Sequence, residues 1–486
     1  MVSGKNFEGV IEKNIKLILG LIFIIFLLIS LKGVKPDLSD QPVYIYMGKL
    51  ITEGEVPYRD FFFSHPPLEI YVDALLLKIF GYNLFILKLV PILFTILTAF
   101  FLFKLVKKKF DLVTALGSTI LFLFTYETFR MTGNIGMSLA VLFVVLGFYY
   151  SFKQKYLLSG IFIGTAGITN FFSLFLGGVL FLYILLKKEK SKIKLRIKPA
   201  INFLIGFFII FLLIQLVFIL IVGKEYFLQV YQYHFMKPST EVVKGIKLDL
   251  FKSTVIYNPI IFIGSLFYFL SRKKELSIFF TSVLVYIIII FTLKSPFPYY
   301  YEMILPFLAV LASVSILKFV KRSENKNLLL LFLSIFILLN SVWAVSNHFW
   351  IINNTFSQNE HIELVEAIKQ NSVKGDLIFG DQLFVPLIAL MSERDIALNF
   401  VDTNPLRFQA GLVDVERLTM DLEKDIPKFI VIAGHTPFMN YDSSKNFLNN
   451  NCKITKVIDI VLPTQFKRNL INEKLYLLYC EKSEEE

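Results

Sequence analysis

The sequence predicts an α-helical polytopic membrane protein with about 11 spans, amphipathic helices in its first outer loop and a C-terminal extracytoplasmic α/β domain. Three observations carry this prediction. Of 486 residues, 55% are hydrophobic and 53 are Phe, more than a soluble core can use, and the mean hydropathy is +0.64. Apolar runs recur from residue 15 to residue 346, with Lys and Arg collected in the gaps between them. Beyond that point charge rises and the apolar runs shorten to strand length.

The runs are 15–31, 84–106, 112–126, 135–152, 156–169, 171–186, 200–222, 256–270, 276–293, 302–319 and 327–346. No small-residue cleavage site precedes Pro36, so the first run reads as a retained span rather than a cleaved leader. A full span takes about 20 residues, and several runs are shorter. Residues 156–169 and 171–186 read as a hairpin of two short helices meeting at Thr169-Asn170. The charges favour this over one long helix. Lys153 and Lys155, Lys187 to Lys198, Arg272 to Lys274 and Lys318 to Lys326 then all fall on the cytoplasmic side. The N-terminus is placed in the cytoplasm of a multi-pass cell-membrane protein, and everything after Val345 outside it. The formal net charge of +12 is thereby explained by topology and anionic lipid, which leaves no role for nucleic acid.

Four longer segments face outward in this topology: 32–82, 127–134, 223–255 and 294–301. They are polar and aromatic, whereas the spans are almost free of charge. A transporter places its polar groups near mid-span, so the work is expected at the outer surface. Two domains follow, 1–346 in the membrane and 347–486 outside it. The second alternates helix (360–369, 383–391, 412–422) with short strands (376–380, 396–401, 428–433) and closes with a hairpin, 453–460 with 474–479. It contains no phosphate-cradling Gly loop. The only cysteines, Cys452 and Cys480, lie opposite each other if 460 pairs with 472, and an oxidising exterior permits a disulfide.

The first outer loop gathers ionisable groups beside a bilayer, where such groups are functional candidates. It runs through Asp37, Asp40-Gln41, Tyr58-Arg59-Asp60 and His65-Pro66-Pro67. Pro42 to Ile51 is helix-compatible, with Asp40 near its N-cap. There the helix dipole favours a carboxylate, which can then serve as a general base. Gly54 breaks that helix, and Pro67 to Ile79 forms a second amphipathic piece.

The order Asp40-Gln41, Tyr44, Gly54, Pro57-Tyr58-Arg59-Asp60-Phe61, His65-Pro66-Pro67-Leu68 resembles the first outer loop of the C-type integral membrane glycosyltransferases. The nearest group is the family related to protein O-mannosyltransferases and lipid A aminoarabinose transferases. The stretch Gly164 to Asn170 resembles that family's Gly-rich hairpin, and Pro298 to Tyr301 with Pro306 its later outer turn. The resemblance covers roughly residues 15–350. It implies transfer of a sugar from a polyprenyl phosphate to a hydroxyl of a protein, glycan or lipid acceptor, with inversion and with Asp40 as base. The family usually has Asp-Glu where this chain has Asp40-Gln41, and often Lys where it has Asn170.

The residues support such chemistry by themselves. A departing phosphate needs little acid catalysis and mainly needs cations. The catalytic candidates are Asp40 and Asp60. The substrate-binding candidates are Arg59, His65, Glu127, Arg130, His234, Lys237, Lys294 and Tyr300. Each also has a plain structural reading: a cap for Asp40, an ion pair for Arg59-Asp60 and for Glu127-Arg130, a turn for His65, and an interfacial aromatic belt for Tyr300. No His/Cys/Asp cluster has metal-ligand spacing, and no cofactor is required; a divalent cation bridging Asp and phosphate is compatible with the loop. Two rivals remain open, a flippase of lipid-linked sugars and a non-catalytic subunit of a glycosylation complex.

Overall fold

The computed structural model describes residues 4–36, 38–186, 188–189, 192–193, 196–238, 243–271, 276–354, 358–463 and 470–481. Asp37, most of the basic stretches at 187–195 and 272–274, Thr355 of an Asn-Asn-Thr sequon and the tip of the final hairpin lie outside them. The chain forms two compact units, each assembled from three stretches. One comprises 1–34, 87–217 and 244–349; the other comprises 35–86, 218–243 and 350–486. The last stretch of each begins or ends at Phe349/Trp350, and the first polar loop and residues 218–243 join the C-terminal segment.

The first unit is helical. Among the described residues six helices are long and apolar enough to cross a membrane: Glu12–Lys32, Leu84–Lys109, Ile135–Phe152, Ile197–Val222, Pro298–Arg322 and Leu328–Asn354. Four apolar helices are shorter: Leu112–Leu123, Tyr156–Thr169, Ser173–Leu185 and Ser277–Thr292. The protein is therefore a multi-pass membrane protein. The expected run 256–270 is broken into Val243–Tyr257, Pro259–Leu266 and Tyr268–Ser271, because Pro259 cannot extend the preceding helix. The hairpin at Asn170 is present: its side chain accepts from Phe172 N at 3.0 Å and turns the chain between two helices.

Ile135–Phe152 is buried nearly all round, whereas Ile197–Val222 and Leu328–Asn354 expose most of their apolar surface, as lipid-facing helices do. Close crossings rest on small residues. A Cβ on Gly160 would lie 1.9 Å from Phe203 O, and one on Gly206 would lie 2.0 Å from Leu157 O. The Gly160-x-x-x-Gly164 face thus lets two backbones meet. Ser313 Oγ donates to Thr114 O at 2.9 Å, a hydrogen bond between helices in an apolar setting.

The second unit contains a five-stranded sheet in the order Asp395–Ile396, Leu377–Gly380, Phe429–Ala433, Leu470–Cys480, Cys452–Pro463. The first three strands are parallel and the last two antiparallel. The expected strand 396–401 ends after Ile396. Leu398 and Asn399 take φ of 57° and 50°, a left-handed turn that no strand accommodates. A helix at Asp442–Asn451 was not foreseen, because its run of Ser and Asn lacks an extended apolar period. Cys452 and Cys480 form a disulfide in the paired register. An irregularity between Ile454 and Lys456 then shifts the ladder, so that Ile460 faces Glu473 rather than residue 472.

Candidate active site

The first polar loop folds as two helices, Asp40–Thr52 and Leu68–Phe80, as their patterns predicted. Ser39 caps the first, its side chain accepting from Gln41 N at 3.2 Å. Asp40 is thereby freed from capping and stands in the first turn, where the helix dipole favours its charge. Gly48 lets the two helices touch: a Cβ there would come within 2.9 Å of Asp73 Cβ and Ala74 N.

Residues 218–243 return to this loop. The Gln229 amide clamps it, donating to Tyr58 O at 2.8 Å and accepting from Phe63 N at 3.0 Å. His234 Nε2 lies 2.9 Å from Ser64 O, and the His234 and His65 rings are 6.0 Å apart. His65 also lies edge-on to Tyr44, at 5.8 Å. Burial first, then the neighbouring His234 and Lys237, pushes the His65 pKa down. Burial and Lys237 bring His234 down to about 3. Both imidazoles are therefore neutral at physiological pH. They act as hydrogen-bonding and packing groups and cannot supply the cation a phosphate needs.

A cation, Lys237, stands beside them. It is buried, with Nζ 4.7 Å from the Tyr233 ring centroid. Burial lowers its pKa to about 8, while the charges of Asp402 and Asp40 oppose the fall. Asp40, His65, His234 and Lys237 thus share one electrostatic neighbourhood. Sequence reasoning missed its C-terminal members, Asp402 and Arg407. Arg407 is held between Phe62 and Phe400, 4.2 and 4.4 Å from the ring centroids, and donates to Asp402 O at 2.8 Å. The turn signal Asp402-Thr403-Asn404-Pro405 marked this corner, but nothing in the sequence connected it with the first loop.

Arg59 and Asp60 pair with each other. The guanidinium donates to both carboxylate oxygens, at 2.9 and 2.8 Å, and Val56 N donates to the carboxylate at 2.7 Å. Led by the Arg59 hydrogen bonds, these contacts bring the Asp60 pKa down to about 2. So stable an anion is a weak base, and the geometry makes the pair a clasp across the loop. Next to it Tyr58 holds φ at 69° while its hydroxyl donates to His65 O at 2.9 Å.

The remaining sequence candidates belong to the helical unit. Arg130 lies between Glu127 and Glu302, 3.4 Å from each. Burial raises the Glu127 pKa against the pull of Arg130. Tyr300 is buried against Phe172, with ring centroids 4.5 Å apart. Lys294 is exposed. Among the described residues no group of three or more His, Cys, Asp or Glu side chains could hold a metal ion.

Residues 64–222 match the family model for dolichyl-phosphate-mannose-protein mannosyltransferases. No curated protein matches the sequence. Among solved structures, ArnT from Cupriavidus metallidurans bound to undecaprenyl phosphate superposes with a TM-score of 0.64 at 12% identity, over 95% of this chain and 97% of that one. The same protein in the apo state gives 0.63 at 12% identity, over 94% and 97%. The Archaeoglobus fulgidus oligosaccharyltransferase tethered to an acceptor peptide containing the NVT sequon gives 0.59 at 12% identity, over 96% of this chain and 75% of that one. The resemblance read in the first polar loop is borne out at the level of fold.

Proposed function

We propose that this chain, which has the fold of the C-type integral membrane glycosyltransferases, transfers a sugar from a polyprenyl phosphate to an acceptor hydroxyl on the outer face of the membrane. The observation that carries this reading is the return of residues 218–243 to the first polar loop through Gln229 and His234, which sets a buried ammonium, Lys237, in the electrostatic neighbourhood of a first-turn carboxylate, Asp40. In this mechanism Asp40 accepts the proton of the acceptor hydroxyl as its oxygen attacks the anomeric carbon. The bond to the phosphate oxygen breaks on the opposite face, with inversion, and Lys237 stabilises the departing phosphate. Neutral His65 and His234 hold the loop, His234 by donating from Nε2 to Ser64 O. Arg59 and Asp60 keep the loop in shape. One structural neighbour was solved with undecaprenyl phosphate, which supports a lipid phosphate as the donor's carrier. Glu127, Arg130, Lys294 and Tyr300 are left without a step.

Asp40→Asn tests this directly. The amide keeps the size of the side chain and cannot take the proton, so turnover should fall by roughly 10²–10⁴-fold. Donor affinity, measured by titration of a polyprenyl-phosphate sugar, should stay within about threefold because the phosphate is held elsewhere. Full turnover by a folded Asp40→Asn protein would remove the base from this site.

A further inference from the structure

Beside the Lys237 neighbourhood lies a cavity of about 360 Å³, within the range of small-molecule sites. Its walls come from the first loop, from residues 225–229 and from the 398–412 segment. Three polar groups on these walls lack hydrogen-bond partners among the described residues. Arg407 Nε is buried and unpaired. The Glu225 carboxylate and the Asn399 amide make no side-chain hydrogen bond or ion pair. Arg407 is not free to seek water, since Phe62 and Phe400 sandwich its guanidinium. A donor fixed in this way without an acceptor is expected to have one supplied.

The backbone supports the same conclusion. Among the described residues, three of the five non-Gly residues with positive φ, Tyr58, Leu398 and Asn399, line this cavity. Such strained backbone concentrates at functional sites. Here it turns the Asn399 corner into the cavity wall.

We propose that this cavity binds a neutral saccharide, the sugar-bearing end of a glycan or glycolipid acceptor. This rests on the glycosyltransferase reading and names its acceptor class. The charged side chains on the wall, Arg59, Asp60, Glu225 and Arg407, are two positive and two negative, so an anion or a cation gains little from them. A polyhydroxyl ring gains from each in turn. A hydroxyl donates to Glu225, another accepts from Arg407 Nε, and the Asn399 amide serves either role. The partly exposed Phe400 ring gives the apolar face of a sugar something to lie on. Phe62 and Arg407 border both this cavity and the Lys237 neighbourhood, Phe62 through the Tyr233 ring at 5.4 Å and Arg407 through Asp402.

The test is equilibrium binding by the purified full-length protein in detergent, without turnover. The probes are maltose, cellobiose and mannobiose, with an uncharged serine-containing hexapeptide in parallel, read by saturation-transfer NMR. At least one disaccharide should bind. Glu225→Gln and Asn399→Ala should each weaken it by about tenfold or more, the loss of a hydrogen bond at a partly charged site. Asn399→Gly relieves the left-handed turn and should bind equally poorly while melting no lower than the parent, which separates ligand contact from misfolding. Absence of disaccharide binding, binding unaffected by the three variants, or binding of the peptide alone would each overturn the proposal. Because no turnover is involved, the outcome is independent of whether Asp40 acts as a base.

Discussion

Two effects oppose each other at Lys237. In the proposed role it meets a phosphate away from water, and burial alone would strip its proton. The nearby Asp402 and Asp40 offset this, leaving the group at about 8. It is charged below that pH and neutral above it. Donor binding should therefore hold through pH 7 and weaken as pH rises through about 8, whereas His234, brought down to about 3, contributes no titration between pH 5 and 7. A donor titration from pH 6 to 9.5 checks this, and Lys237→Gln should both weaken binding, by roughly 10–100-fold, and flatten the profile. Binding that strengthens with pH would point to another group. At this scale the sequence was partly legible. Asp40, His65, His234 and Lys237 were readable as polar residues on outer segments, and the structure brings the four together. Arg59 and Asp60 were equally visible, yet they satisfy each other. Asp402 and Arg407 were invisible because their importance depends on contacts across more than 160 residues of chain.

Helix and strand patterns were readable wherever a local period sets them. The two amphipathic helices of the first loop, the Asn170 hairpin and the cross-strand cysteines follow from pattern and turn chemistry. The strand expected at 396–401 failed because tertiary packing imposes a left-handed turn on a β-prone run. The Gly160/Gly206 crossing was readable only as a Gly-rich stretch, since its partner helix lies far along the chain. It leads to a paired prediction. Gly160→Val should destabilise the membrane unit by about 1–3 kcal/mol or more, because Phe203 O cannot move away. Gly178→Ala, with nothing within 4 Å, should be neutral or slightly stabilising. Thermal unfolding of the two variants in detergent compares them. In the final hairpin, Cys452→Ser should cost about 2–4 kcal/mol through the lost cross-link. Equal urea midpoints for wild type and variant would show that the ladder alone suffices.

For the whole molecule, composition and charge placement were enough to assign a multi-pass membrane protein, and the first-loop motif was enough for its fold. The division into units was less legible. The first polar loop and residues 218–243 fold with the C-terminal segment, through contacts such as Tyr46 Oη to Ile396 N at 2.7 Å and Lys49 to Asp395 at 2.6 Å. Such pairings have no local signature. They make the C-terminal segment part of the candidate site, since it supplies Asp402, Arg407 and the Asn399 corner. The central claim is that this assembly breaks the bond between sugar and lipid phosphate. The measurement that tests it most directly uses purified protein in liposomes with a labelled sugar on a set of polyprenyl-phosphate donors and a mixed glycan acceptor. Sugar incorporation and release of free polyprenyl phosphate are followed together. The account predicts equal amounts of both from wild type and neither from Asp40→Asn. Donor that crosses between leaflets with its sugar still attached, and with no phosphate released, would contradict it and identify a flippase instead.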